Sequence, residues 1–272
     1  MKVLNVYLLL VSLCTVVLGQ TPAKGPDFDV KDFDKKFEVV QWLVDYDKVA
    51  WVTTDVLMKE DKEVLNKLGS EWFCFKDSDG VWNAVYGKLS DSGYDAVLVY
   101  AIDSAGKTTK VSKKVDQDFL TRHARALSTA RKKLSMSIPA NSPRFNQYIR
   151  QNTDKTLSVW LLPAFQRDGT AVYGGEAIYT IDAAGEKILN EESYFQANFR
   201  GFKSQPPREI WLTYRDLKKP TLGAIFFVWY YKEYFTRIVI DNETSTSSVI
   251  KAGEDYIWVH VEKEKETKPK PK

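Results

Sequence analysis

The sequence predicts an α+β fold, with helices packed on a short antiparallel sheet in the N-terminal half and mainly antiparallel β-structure in the C-terminal half. Three observations carry that expectation. Apolar residues recur every three or four positions in two segments of the first half. Short runs rich in Val, Ile, Tyr and Trp, bounded by Asp, Asn and Gly, dominate the second. The chain of 272 residues is 44% hydrophobic and 28% charged, a globular composition with enough apolar material for a sizeable core.

In chain order, residues 1–19 begin with Lys2 and continue as an apolar run from Val3 to Leu18, interrupted only by Asn5, Ser12 and Thr15. Val17 and Gly19 supply the small residues of a cleavage site before Gln20, so the segment reads as a signal peptide and the mature chain as secreted or periplasmic. The run is shorter than the roughly 20 residues of a spanning helix, and no transmembrane span is expected in the mature chain. Leu13 is too bulky for the position before a lipidated Cys14. Cys74 is then the only cysteine of the mature chain, which excludes an intramolecular disulfide. Its neighbours Trp72, Phe73 and Phe75 are those of a buried small hydrophobe, not of an activated thiol.

Val30, Phe33, Phe37, Val40 and Val44 form a helical stripe behind the acid-rich run Asp27–Asp34. Acids at that end complement the helix dipole, and their spacing matches no cation loop. Val49–Leu57 fits either a strand or a helix, and Glu60–Leu68 reads as a short helix stopped by Gly69. Strands follow at Glu71–Lys76, Val81–Tyr86 and Ala96–Ile102. A long helix from Asp116 to about Met136 has Leu120, Ala124, Leu127, Ala130 or Arg131, and Leu134 on its buried face. Ser135–Pro143 lacks periodicity and serves as a linker between a domain spanning 20–137 and a β-rich domain spanning 144–261. Strands of the second part are read at Leu157–Phe165, Ala177–Ile181, Glu209–Tyr214, Ala224–Tyr231, Phe235–Ile240 and Tyr256–Val261. Residues 262–272 alternate Lys, Glu and Pro and form a solvated tail.

The formal charge of +3 does not belong to the body of the protein. Lys2 contributes one unit and the tail two, which leaves Gln20–Val261 neutral and disfavours nucleic acid as a partner. Arg122, Arg125, Arg131, Lys132 and Lys133 make the long helix locally basic, in the sense its dipole favours. The Lys-rich tail is the segment suited to contact with an envelope surface.

Motif by motif, little chemistry emerges. Ala101–Thr108 lacks the first glycine of a phosphate loop and precedes no helix, and Asp77-Ser78-Asp79-Gly80 lacks the later ligands of a calcium loop. Both read as hairpin turns. Tyr100–Lys107 and Tyr179–Glu186 are identical at five of eight positions, each a strand ending in Ile-Asp before a Gly-containing turn. Asn242-Glu243-Thr244 is a glycosylation acceptor in a eukaryotic secretory pathway and otherwise a turn. No cofactor or metal motif is present. His123 borders the apolar stripe of the long helix, and His260 shares a strand face with Trp258 and Glu262. These two histidines, with Glu176 and Glu209, are the weak catalytic candidates. The aromatic run Phe226–Tyr231 suggests a ligand surface built from Trp229, Tyr231 and Trp258. The expectation is an exported, non-catalytic binding or structural protein that uses this surface to meet a polysaccharide or a protein. The alternative is a hydrolase of extracellular polymers with a carboxylate pair.

Overall fold

The computed structural model describes residues 28–263 apart from 104, 113, 196–197 and 204–207. The signal-like segment 1–19 and residues 264–272 of the tail lie outside the described residues. The architecture is α+β, with four helices and fourteen strands among the described residues.

Two segments share one plan, a helix followed by a four-stranded antiparallel sheet. In the first, α1 (Val30–Leu57) and the single turn α2 (Lys62–Leu65) precede β1 (Phe73–Lys76), β2 (Trp82–Ser90), β3 (Gly93–Ile102) and β4 (Thr108–Lys110), paired in that order. In the second, α3 (Gln117–Ser137) precedes β5 (Phe145–Gln151), β6 (Leu157–Pro163), β8 (Ala177–Ile181) and β9 (Ile188–Ser193). Between β6 and β8 the chain makes an excursion through β7 (Thr170–Tyr173), which pairs with β10 (Arg200–Lys203). A third sheet joins β11 (Glu209–Tyr214), β12 (Arg237–Asn242), β13 (Ser245–Ala252) and β14 (Asp255–Glu262). There β11 and β12 are parallel, and the crossover a parallel pair requires is the helix α4 (Leu222–Tyr231).

Strand alternation distributes the side chains into two cores. Phe73 of β1 and Leu157, Val159 and Leu161 of β6 face the stripe of α3, whose buried residues include Leu120, Ala124, Leu127, Ala130 and Leu134. Cys74 of β1 and Trp160 and Leu162 of β6 face the other way, toward α1 and α4. Each core therefore takes residues from both sides of the 138–144 connection. Gln147 on β5 ties the first two sheets together by donating to the carbonyls of Ser70 and Trp72, at 3.1 and 2.9 Å. The cations of α3 also serve this packing: Arg125 pairs with Glu186 at 3.2 Å, Lys133 with Glu191 at 3.0 Å, and Arg131 with Glu71.

Three departures from expectation have physical causes. The first is that α1 runs unbroken through Leu57, so the ambiguous Val49–Leu57 is helix. The second is that Ala224–Tyr231 is not a strand but most of α4. Its aromatic and β-branched composition favours strands, yet Thr221 after Pro220 caps a helix, its hydroxyl accepting from Ala224 N at 3.0 Å. A helix apolar on all sides is stable only when enclosed, and α4 is wedged between α1, β7 and the strands β12 and β13 of the third sheet. The third is that Glu262 closes β14 and Lys263 pairs with Asp241 at 2.6 Å, so order extends two residues into the expected tail. The predicted linker is also shorter, because α3 continues to Ser137.

The turn motifs resolve together. Asp77, Asp103 and Asp182 each accept backbone N–H groups on the side chain, and Gly80, Gly106 and Gly185 follow at φ values of 77°, 78° and 81°. Only glycine adopts that conformation without strain. In the sequence echo, the two copies connect β3 to β4 and β8 to β9, equivalent hairpins of the two sheets. The same turn recurs at Gln166–Gly169 and Asn152–Lys155, so turn chemistry accounts for it. Asn242 is fully buried, and its amide donates to the carbonyls of Tyr214 and Lys219, which closes the glycosylation acceptor inside the fold.

Candidate functional site

The sequence-named residues fall in separate places. His123 is 2% exposed, stacks on Phe73 and Phe119, and donates Nδ1–H to the Phe119 carbonyl at 2.7 Å. Burial lowers its pKa to about 4, the behaviour of a neutral core histidine. His260 is half-buried on β14, stacked on Phe28 with Nδ1 2.9 Å from Ser247 Oγ, and burial pushes its pKa down. It shares its face with Trp258 and Glu262, as expected, and the start of α1 covers that face: Glu262 Oε1 accepts from Phe28 N.

The two carboxylate candidates differ in kind. Glu176 is 1% exposed and sits at the N-terminus of α4, accepting from Thr221 Oγ1 at 2.6 Å and Tyr214 OH at 3.3 Å. Its burial raises its pKa against those hydrogen bonds. The small gap beside it holds only about 10 Å³. Glu209 is exposed at the first position of β11 and accepts from Trp211 Nε1 at 3.0 Å. No cavity described here is lined by both.

The aromatic candidates separate because α4 is a helix. On a strand Trp229 and Tyr231 share a face; on a helix two positions rotate the side chain by about 200°, nearly to the opposite side. Trp229 is half-buried and meets Phe37 edge-on at 4.8 Å, with Trp258 stacked near it at 6.3 Å and Lys232 Nζ over its ring at 4.5 Å. Tyr231 is 4% exposed and points elsewhere. The three do not form one flat surface.

Tyr231 instead lines a cavity of about 320 Å³ between α1, β5, α4 and residues 163–165 at and after the end of β6. Among its lining residues is Asp47, 3% exposed, an acid that continues the buried stripe of α1. Asp47 Oδ2 accepts from Tyr230 OH at 2.6 Å, and Oδ1 accepts from Tyr148 OH at 2.9 Å and Asn146 Nδ2 at 3.3 Å. The Trp51 indole N–H approaches the same carboxylate and the Tyr230 hydroxyl. Burial raises the Asp47 pKa, and these donors oppose the rise. Further walls come from Tyr46, Trp72, Phe145, Phe165 and Phe226, with ring contacts running from Tyr46 through Tyr148 and Phe226 to Tyr230. Exposed Trp51 and Arg144 mark the mouth. A larger depression of about 610 Å³ at the end of α4 is lined by mixed charges, among them Lys232, Glu233, Arg237 and Glu254. It lacks the buried polar group on an apolar wall that fixes a ligand's orientation.

Sequence reasoning passed over Asp47. Its signal was its place: three residues after Val44, the next step of the stripe Val40–Val44, is an acid on an otherwise apolar face. Its partners lie about 100 and 180 residues away, beyond any local spacing. Among the described residues, no group of three or more His, Cys, Asp or Glu is placed to hold a metal ion, and no helix is long and apolar enough to cross a membrane. No family model, curated protein or solved structure matches the chain.

Proposed function

We propose that this chain is an exported binding protein that holds a small molecule in the cavity around Asp47. One observation carries the reading: a buried carboxylate, hydrogen-bonded by neutral donors, in the lining of an aromatic-walled cavity that reaches the surface at Trp51. Ligand sites combine apolar walls with a few oriented polar groups in this manner. Among the described residues of the lining, the partners of Asp47 are the neutral Tyr148, Tyr230 and Asn146, a set suited to holding a ligand. Tyr231, one of the ligand-surface residues expected from the sequence, contributes a wall to this cavity. Export rests on the apolar segment 1–19 and its small residues before Gln20.

The test is a small-molecule screen by ligand-observed NMR on the wild-type chain and on Ala50→Phe, which puts a ring into the cavity from α1. The reading predicts ligands that bind the wild type and are lost in a variant that still unfolds cooperatively. Ligands that bind both proteins equally overturn it.

A further inference from the structure

The charge pattern of the cavity identifies the class of ligand, and this inference rests on the reading above. Among the described residues that line it, Asp47 is the one acid and Arg144 the one base. A buried carboxylate is ordinarily matched by a cation. Asp47 has none: its partners Tyr148, Tyr230 and Asn146 are neutral, and so is the Trp51 indole beside it. Arg144 is exposed and directs its guanidinium to the Phe165 carbonyl at 3.5 Å, where solvent screens it. Ionised, Asp47 has no partner cation within hydrogen-bond distance among the described residues.

The hydrogen bonds narrow the class further. A carboxylate offers about four lone-pair sites. Three are taken by hydroxyl and amide donors, which leaves one for an incoming group. A primary ammonium or a guanidinium entering here would bring more N–H groups than this carboxylate has open acceptor positions, and desolvating the surplus is costly. A cation without N–H groups has no such cost. It is attracted by the carboxylate and by the negative faces of the aromatic rings, the interactions by which quaternary ammonium groups are recognised. The geometry points to a small molecule bearing a quaternary ammonium group, seated against Trp51, Tyr230 and Tyr231, with Asp47 as its counter-charge.

Isothermal titration of the full chain with four probes tests this: choline, tetramethylammonium, methylammonium, and dimethylbutanol, the uncharged carbon isostere of choline. The expected result is binding of both quaternary ions, with methylammonium and the isostere weaker by about tenfold or more, and a loss of about tenfold for choline in Asp47→Asn. Equal affinity for choline and its isostere overturns the cationic class while leaving the cavity reading intact. Methylammonium binding as tightly as tetramethylammonium overturns the quaternary assignment. Silence of all four probes, while other ligands remain sensitive to Ala50→Phe, overturns the inference alone; silence together with ligands indifferent to Ala50→Phe overturns both. Should Asp47→Asn fail to fold, Trp51→Leu at the exposed mouth replaces it. A several-fold loss of choline affinity is then expected, and unchanged affinity refutes the proposal.

Discussion

Gly223 in the first turn of α4 tests how Glu176 is held. A Cβ at this position would lie 2.5 Å from Glu176 Cδ, 2.6 Å from Cγ and 2.7 Å from Oε1. On an isolated helix Gly→Ala is favourable by up to about 1 kcal/mol. Here the carboxylate must move, and because Glu176 is 1% exposed it has no solvent to move into. Displacing it leaves the hydroxyls of Thr221 and Tyr214 without their acceptor, at about 1–3 kcal/mol each. Set against the propensity gain, Gly223→Ala should destabilise the protein by about 1–5 kcal/mol. In a Glu176→Ala background the obstacle is gone, and the same substitution should be neutral or stabilising. Urea unfolding of the four proteins of this cycle, followed by circular dichroism, gives the coupling energy directly. If Gly223→Ala is harmless in the wild type, or costs the same in both backgrounds, Glu176 is not packed against the start of α4 as described.

Other consequences concern protonation and turns. The His123 pKa of about 4 lies below the ordinary 6.5, so the unfolded chain binds that proton more tightly. Stability from this group is complete above pH 6.5 and is lost as pH falls toward 4, by about 3 kcal/mol in all. Asp47 and Glu176, both raised, act in the opposite sense, losing stability as pH rises above the ordinary carboxylate range. The difference between wild type and His123→Phe in urea midpoints at neutral and acid pH isolates the histidine, and an equal pH dependence in both proteins refutes its burial as a neutral base. Gly80→Ala should cost only the left-handed strain of about 1–2 kcal/mol, since nothing lies within 4 Å of its Cβ. Gly185→Ala should cost clearly more, because its Cβ would lie 2.3 Å from the Arg122 carbonyl and 2.9 Å from Ala126 N on α3. Equal thermal shifts for the two variants would show that α3 does not rest on that turn.

Where the sequence was legible, a single local signal sufficed. The stripe of α3 is broad and regular, and all five of its predicted core positions are buried once Ala130 is taken over Arg131. The Asp-containing turns were legible because their side-chain and glycine chemistry is contained within five residues. Illegible elements owe their state to distant neighbours. β13 begins Ser245-Thr246-Ser247-Ser248, polar enough to read as loop, yet it is a strand because β12 and β14 pair with it on both sides. The composition of α4 favours a strand and only its cap spoke for a helix. That misreading of period placed Trp229 and Tyr231 on one face. The cavity was out of reach for the same reason, since Asp47, Tyr148 and Tyr230 meet through packing of α1, β5 and α4. The acid on the stripe of α1 was the visible part.

The central claim is that the Asp47 cavity receives a quaternary cation, and the indole resonances report on it directly. All eight tryptophans of the chain lie within the described residues, but only Trp51 and Trp72 line the cavity. Titration with tetramethylammonium, followed by two-dimensional NMR of the indole N–H groups, should shift Trp51 and Trp72 saturably and leave Trp229 and Trp258 in place. Shifts confined to Trp229 and Trp258, or none at Trp51, would contradict the account.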